Sequence, residues 1–191
     1  MWRILLYINS YSVAVLLVAL LAVCTSVFRG ERRGRAPSRG ARAALAVLVV
    51  LVLVATLTPH QAIGSSDYQV WLVPGQGILF DHAAMEGLER SMYVRQQIAN
   101  LLMFVPLAVA FRFAYPTYGS WGPVAIGALL GLSIEAVQWV MAAGRVVDID
   151  DVIVNSAGAA LGALICLMGG RLARMDRRGR PEKQAPSHRR G

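Results

Sequence analysis

Eight polar residues have the types and the spacing of a binding or acid–base site. A carboxylic acid lies inside an otherwise apolar stretch, and an amide follows it three residues later. Further along, an arginine precedes three aspartates and an asparagine. Carboxylates can hold a hard cation or transfer protons, whereas amides and arginine can orient a polar or anionic ligand. The eight candidate ligand-binding residues are Asn100, Glu135, Gln138, Arg145, Asp148, Asp150, Asp151 and Asn155.

Membrane helices are the elements that must position these residues. Hydrophobic residues make up 56% of the 191 residues and charged residues 16%, against about 45–50% and about 25% in soluble proteins. Residues 4–28 contain no charge, and about 20 apolar residues span a bilayer core. This composition excludes a soluble globular enzyme, a disordered protein and a small disulfide scaffold. It predicts a multi-pass integral membrane protein.

Five apolar stretches predict an all-α, polytopic bundle of about five transmembrane helices. The second helix is expected to end near Thr58 and Pro59. The third stretch is short and contains Pro106, so a re-entrant segment is the alternative there. Arg112 can reach towards the headgroups, however, and so lengthen the usable helix. The stretches cover residues 4–28, 43–66, 96–111, 119–143 and 152–170.

Basic residues predict the orientation and the organisation of the chain. Of 19 basic residues, six lie in residues 29–42 and eight in residues 171–190. Because positive segments stay in the cytoplasm, the N-terminus is predicted outside and the C-terminus inside. We expect an extra N-terminal helix with a basic loop (1–42), a membrane domain (43–170) and a basic, disordered tail (171–191). Basic clusters beside apolar spans favour lipid contacts over nucleic-acid binding.

Two predicted helices each carry a stripe of small residues that ends in polar groups. At about 100° per residue, the members of each stripe fall within an arc of about 80°. The glycines would let another helix approach closely. In the predicted orientation, the polar ends of both stripes meet at the outer leaflet. The stripes consist of Gly127, Gly131, Glu135 and Gln138 in the fourth helix, and of Asp151, Asn155, Gly158, Gly162 and Cys166 in the fifth.

A purely structural role is the alternative for these polar residues. Asp148 and Asp150 could cap the fifth helix, and Arg145 could pair with one of them. The amides could form hydrogen bonds between helices. Glu135 favours a functional site, because an acid in mid-helix costs roughly 2.5–3.5 kcal/mol on insertion scales. No cofactor and no metal site are predicted, since the aspartates lack the spacing of a calcium loop.

Several segments resemble the VanZ-like membrane proteins. They are NLLMFVPLA (100–108), SIEAVQ (133–138) and GRVVDIDDVIVNSAGAALG (144–162), together with TLTP (56–59). The resemblance covers about residues 50–170, and Ala108 stands where the family usually has glycine. It implies a helical protein of the bacterial plasma membrane and cell envelope. The family's namesake is associated with low-level resistance to the glycopeptide teicoplanin, and the resemblance implies no particular reaction.

Three classes of function follow from these observations. In the first, a non-catalytic or transport-like protein uses a polar pocket in the outer leaflet to engage a lipid-linked glycan or a glycopeptide, with Arg145 on an anionic group. In the second, an intramembrane enzyme uses the acids for metal-dependent or acid–base chemistry on a lipid-linked substrate. The predicted spans contain no Ser–His or Cys–His pair, so we favour a protein that is not an enzyme. In the third, the glycine stripes bind another membrane protein.

Overall fold

The structure of the chain is a computed structural model, and it describes residues 39–59, 61–65, 69–76, 87–144 and 146–178. Four long helices dominate this part of the chain. Two short strands and one turn of 3-10 helix lie between them. The elements are α1 (Arg39–Leu57), β1 (Gln69–Trp71), α2 (Gly87–Ala114), the 3-10 turn (Pro116–Tyr118), α3 (Gly122–Met141), β2 (Val146–Asp148) and α4 (Ile149–Arg178).

Each of the four helices is long and apolar enough to cross a membrane. The segments that meet this condition are Gly40–Leu57, Arg90–Ala114, Gly122–Met141 and Ile149–Leu172. They correspond to the second to fifth predicted spans, so a helical, multi-pass protein is confirmed for them. The first predicted span, residues 4–28, lies outside the described residues.

The third predicted span is a continuous helix. α2 contains 28 residues and has Pro106 in its interior. It begins before the apolar stretch because polar residues that favour or tolerate helix precede that stretch. Proline removes one backbone donor, yet the helix continues past Pro106 to Ala114. The helix is therefore long enough to cross, which favours a spanning segment over a re-entrant one.

The last helix is longer than its apolar stretch predicts. α4 continues to Arg178, whereas the sequence predicts a disordered tail from residue 171. Arginine, leucine, alanine and methionine in residues 171–175 all favour helix. Extending an existing helix also avoids the cost of nucleating a new one. The disordered tail is therefore wrong for residues 171–178, and the rest of the predicted tail lies outside the described residues.

Successive helices alternate in direction, so the bundle has two distinct ends. At one end, Gln97 near the start of α2 bonds to Asp151 near the start of α4. Gln138 near the end of α3 bonds there to the end of α1. We call this the polar end. At the opposite end, Arg42 of α1 lies over the ring of Tyr115, and we call that the aromatic end.

α2 packs at the centre of the described bundle. Residues 104–110 of this helix are all buried, and the helix contacts α1, α3 and α4. Phe104 and Leu107 form one hydrophobic cluster with Val52 of α1 and Ile134 of α3. Burial of this cluster holds α1, α2 and α3 against one another, and two of these helices carry polar residues of the polar end.

The glycine stripes lie between helices of this same chain. A Cβ added at Gly158 or Gly162 of α4 would meet the backbone carbonyl of Leu101 or Val105 of α2. A Cβ added at Gly127 of α3 would meet Ala159 of α4. The small residues thus permit α4 to approach both α2 and α3 closely.

A two-stranded sheet at the polar end joins the loop after α1 to the segment before α4. β1 and β2 pair in parallel, with Gln69 opposite Val146 and Trp71 opposite Asp148. The expectation of an all-α fold did not include this sheet. Each strand is only three residues long, and the two strands lie far apart in sequence. Neither therefore produces the alternating pattern over four to eight residues that indicates a strand.

Candidate functional site

The structure places seven of the eight candidate residues at the polar end, and Arg145 lies outside the described residues. Five of the seven are 3–6% exposed although all are polar. Burying polar groups is costly unless they are hydrogen-bonded, so their partners decide what the site can do. The five buried residues are Glu135, Gln138, Asp148, Asp151 and Asn155.

Asp148 links β2, α3 and the start of α4. Its Oδ1 accepts a hydrogen bond of 2.9 Å from the backbone N–H of Asp150, which is the geometry of a helix N-cap. Its own N–H donates to Oε2 of Glu135 at 3.0 Å. Burial raises the pKa of the Asp148 carboxyl above its ordinary value, and the bonds from Asp150 N–H and Tyr93 oppose this in part. Asp148 thus has a clear structural role.

Asp150 holds the segment that contains β1. Its two carboxylate oxygens accept from the backbone N–H of Gly75 at 2.8 and 2.9 Å. The ring of Trp71 lies 6.4 Å from the ring of Tyr93 on α2. We call residues 69–76 the strap, because they run from β1 to this carboxylate. The strap therefore fastens a loop onto the start of α4.

Tyr93 lies between two carboxylates. Its hydroxyl is 2.9 Å from Oδ2 of Asp148 and 3.0 Å from Oδ2 of Asp150. A phenol has one proton to donate, so it can satisfy only one of these oxygens at a time. The Oδ2 of Asp150 also accepts from the backbone N–H of Gly75, so that oxygen keeps a donor when the phenol proton points to Asp148.

Asp151 is surrounded by amides from α2. Nε2 of Gln97 donates to Oδ1 at 2.8 Å, and Nε2 of Gln96 lies 3.5 Å from Oδ2. The side chain of Asn100 is a further hydrogen-bond partner. These neutral donors offset part of the cost of burying the carboxylate without supplying a positive charge.

Two buried acceptors have no hydrogen-bond partner among the described residues. They are Oε1 of Gln97 and Oδ1 of Asn155. The orientation of the Gln97 amide follows from its bond to Asp151, because the reverse orientation would place two oxygens together. Asn155 lies one turn beyond Asp151 on α4 and packs against Gly131 of α3. An unsatisfied buried acceptor costs about 1–3 kcal/mol, so a donor that reached these oxygens would be bound favourably.

Gln138 has a different partner from the aspartates. Its Nε2 donates to the backbone oxygen of Thr56 at 2.9 Å. This bond joins the end of α3 to the end of α1 across the polar end. Gln138 therefore connects two helices, which is the structural role considered for the amides.

Sequence reasoning missed four residues of the network. Tyr93, Gln96 and Gln97 lie seven, four and three residues before Asn100, a spacing that places them on one helical face. Gln96 and Gln97 begin the apolar stretch 96–111 and Tyr93 precedes it, but the spacing alone does not show which side chains of this face reach another helix. Gly75 follows Val73 and Pro74 in a turn, and nothing in the sequence relates its N–H to Asp150.

The acids do not form a metal site in the described part of the chain. No group of three His, Cys, Asp or Glu side chains there is placed to hold a metal ion. The carboxylates of Asp148, Asp150 and Asp151 instead accept hydrogen bonds from backbone N–H groups, a phenol and amides. What the arrangement offers chemically is a buried set of hydrogen-bond acceptors.

Comparison with known families agrees with the residues on which the resemblance depends. Residues 14–170 match the family model described as VanZ/LLP1. The match includes the whole polar site and begins within the first predicted span. No curated protein and no solved structure matches the chain. The family match covers most of the sequence and confirms the resemblance, so the chain belongs to the VanZ/LLP1 family of membrane proteins.

Proposed function

We propose that this chain is a plasma-membrane protein that binds a component of the cell envelope at its polar end. The ligand is a lipid-linked glycan or a glycopeptide, and the protein acts by binding rather than by catalysis. The observation that carries the proposal is the pair of buried acceptors on Gln97 and Asn155 that have no partner among the described residues. Gln97 bonds to the carboxylate of Asp151, and Asn155 lies one turn beyond Asp151 on α4. Family membership supports the membrane setting but does not identify the ligand.

The distribution of arginine supports an outer-leaflet position for the site. Side chains are described for six arginines, of which two lie near the start of α2 at the polar end and four lie away from it. Arg42 and Arg112 lie at the aromatic end, and Arg171 and Arg174 lie in the half of α4 remote from the polar end. Basic residues are retained on the cytoplasmic side, so the polar end faces outward in our proposal. The six are Arg42, Arg90, Arg95, Arg112, Arg171 and Arg174.

Part of the polar network needs no ligand to account for it. Asp148 caps α4, Asp150 holds the strap and Gln138 joins α3 to α1. The proposal therefore depends on Gln97 and Asn155, whose side-chain oxygens have no hydrogen-bond partner among the described residues, and on Asp151, the carboxylate that Gln97 binds. This separates the binding hypothesis from the purely structural alternative residue by residue.

The chemistry of the ligand follows from the buried side-chain oxygens that have no hydrogen-bond partner among the described residues. The free positions are carbonyl oxygens of amides beside a carboxylate, and such oxygens accept hydrogen bonds. Sugar hydroxyls and peptide N–H groups are donors that can satisfy them without a charge. In this proposal Arg145, which precedes β2, contacts the diphosphate of a lipid carrier. Glycans linked to a lipid and glycopeptides both combine donors with an apolar part suited to a membrane site.

Binding of defined probes to the full chain tests this proposal. The protein is purified in mild detergent and titrated, in native mass spectrometry, with a polyprenyl-diphosphate disaccharide-peptide and with teicoplanin. Asn155→Ala removes one acceptor, so we expect at least a fivefold loss of affinity. Ser156→Ala is the matched control, because within the described part of the chain the Ser156 hydroxyl bonds to Val152 of its own helix at 2.7 Å.

The outcome is decided by comparing the variants with each other. We expect at least one of the two probes to bind the wild-type chain and the Ser156→Ala variant equally well. Failure of both probes to bind the wild-type chain would contradict the proposal. Equal binding by folded Asn155→Ala protein would contradict the role of the buried acceptor. A thermal melt of each variant verifies that the compared proteins are folded.

A further inference from the structure

An aromatic cluster closes the end of the bundle opposite to the polar site. The ring of Phe111 lies 5.3 Å from that of Tyr115 and 5.9 Å from that of Tyr118. The rings of Tyr115 and Tyr118 are 6.2 Å apart in an edge-on arrangement. A Cβ added at Gly122 would meet Tyr118, so this ring lies directly against the start of α3. The cluster fixes the connection between α2 and α3.

Two arginines from different helices flank this cluster. The guanidinium carbon of Arg42 on α1 lies 5.5 Å from the centre of the Tyr115 ring. Nη1 of Arg112 on α2 donates to the backbone oxygen of Pro116 at 3.2 Å. Since Tyr115 and Pro116 are consecutive, the two guanidinium groups contact neighbouring residues of the connection between α2 and α3. Each guanidinium has five N–H donors in a planar fork, and the bond to Pro116 uses one of those of Arg112.

The described segments that carry these two arginines contain no acid close to them in sequence. Neither α1 nor residues 90–134 contains an aspartate or a glutamate. The N-cap of α3, Trp121, provides no side-chain acceptor to the helix start. The first N–H groups of a helix carry a partial positive charge, and here they add to that of the arginines. The aromatic end thus favours an anion.

Exposed aromatic rings indicate where that anion lies relative to the bilayer. Tyr118 is 65% exposed and Trp121 is 81% exposed. Tyrosine and tryptophan concentrate at the level of lipid headgroups, because their rings are apolar while their polar atoms reach water. Both rings follow directly after a helix that is long enough to cross the membrane. An anion held beside them would therefore lie in the headgroup layer.

We propose that the aromatic end holds the phosphate of an anionic phospholipid between Arg42 and Arg112. The two guanidinium groups contact the phosphate, and Tyr118 and Trp121 lie against the glycerol and upper acyl chains. Arginine suits this task because its fork matches phosphate oxygens. We call these residues, together with Tyr115, the arginine–aromatic site. This site is independent of the ligand proposed for the polar end.

Lipid retention by the full chain tests the site. The protein is reconstituted in nanodiscs of phosphatidylcholine and phosphatidylglycerol in equal amounts, extracted in mild detergent and analysed by native mass spectrometry. The ratio of bound phosphatidylglycerol to phosphatidylcholine is the measured quantity. We expect Arg42→Gln with Arg112→Gln to lower this ratio by about fivefold for each arginine removed.

A second pair of exposed arginines provides the matched control. Arg171→Gln with Arg174→Gln removes the same charge from the C-terminal part of α4, and we expect less than a twofold change. An equal loss in both double variants would show diffuse attraction and overturn the proposal, as would an unchanged ratio in the first. The single Arg42→Gln variant alters an exposed side chain and keeps the Arg112–Pro116 bond. It is expected to show a fivefold loss even where the double variant folds poorly.

Discussion

The backbone N–H of Asp148 donates a hydrogen bond of 3.0 Å to Oε2 of Glu135. An acid within the apolar α3 thus holds the residue that caps α4. Both residues are buried, with exposed fractions of 3% and 5%. The cost of placing an acid in a membrane helix is offset in part by this bond. Glu135 therefore has a structural task in addition to any contact with a ligand.

Two substitutions of Glu135 should distinguish the contribution of its hydrogen-bond acceptor to stability from the contribution of its charge. Glu135→Gln keeps a carbonyl oxygen that can accept from Asp148, whereas Glu135→Ala leaves a buried N–H unpaired. We expect Glu135→Ala to lower the free energy of unfolding by about 1–3 kcal/mol more than Glu135→Gln. Denaturation in mixed detergent micelles measures this difference, and both variants should still insert in membranes. Equal stability of the two variants would show that the bond to Asp148 contributes little.

Enlarging a glycine of α4 should disturb its packing on α2. A Cβ at Gly158 or Gly162 would meet a backbone carbonyl, which cannot move without shifting the helix. We expect Gly158→Ala or Gly162→Ala to cost about 1–3 kcal/mol of stability. Ala157→Val on the exposed side of α4 adds more volume and should change the melting temperature little. Tolerance of both glycine substitutions would mean that the helices lie further apart.

Removing the Asp150 carboxylate should release the strap. Asp150→Ala deletes both oxygens that accept from Gly75, while Asp150→Asn keeps one. A hydrogen bond to a charged group contributes about 1.5–3 kcal/mol, so amide exchange at Gly75 should accelerate about tenfold or more in Asp150→Ala. The effect should be smaller in Asp150→Asn. Hydrogen–deuterium exchange measured on peptides from the strap and, as reference, from α2 tests this; unchanged exchange at Gly75 would contradict it.

Chemical labelling should report which side of the membrane the strap faces. Val73 is exposed on the strap and Arg174 is exposed near the end of α4. In a chain whose Cys24 and Cys166 are replaced by alanine, a cysteine substitution Val73→Cys should react with an impermeant maleimide in intact cells. Arg174→Cys should react only after permeabilisation. The reverse pattern would contradict an outer-leaflet position for the polar site, whatever ligand it binds.

The ends of the helices illustrate how much local sequence can predict. α1 ends at Leu57, next to the predicted Thr58 and Pro59, because proline cannot continue the hydrogen-bonding pattern of a helix. α4 instead runs past the last apolar residues to Arg178. Hydropathy measures preference for lipid, and a helix that leaves the apolar layer can continue if its residues favour helix.

The polar network shows where prediction from sequence stopped. Periodicity placed Glu135 on a face with Gly131, and Asp151 on a face with Asn155. It did not identify Tyr93 and Gln97 as partners, although their spacing from Asn100 carried the signal. Each prediction considered one helix at a time, and the partners of the aspartates are on another helix.

By itself, the sequence determined that the protein is a membrane protein and that four of its described segments are helices. It also determined which helix faces carry small residues and which segments resemble the family. These properties are local, because hydropathy and helical period depend on neighbours a few residues apart. Only the tertiary structure decided that Gly75 binds Asp150, that Gln97 binds Asp151 and that β1 pairs with β2. Those contacts join residues more than 50 positions apart, and they form because the packing of α2 between its neighbours brings the ends of separate elements together. The buried acceptors on Gln97 and Asn155, on which the proposed function depends, come together only in that packed arrangement.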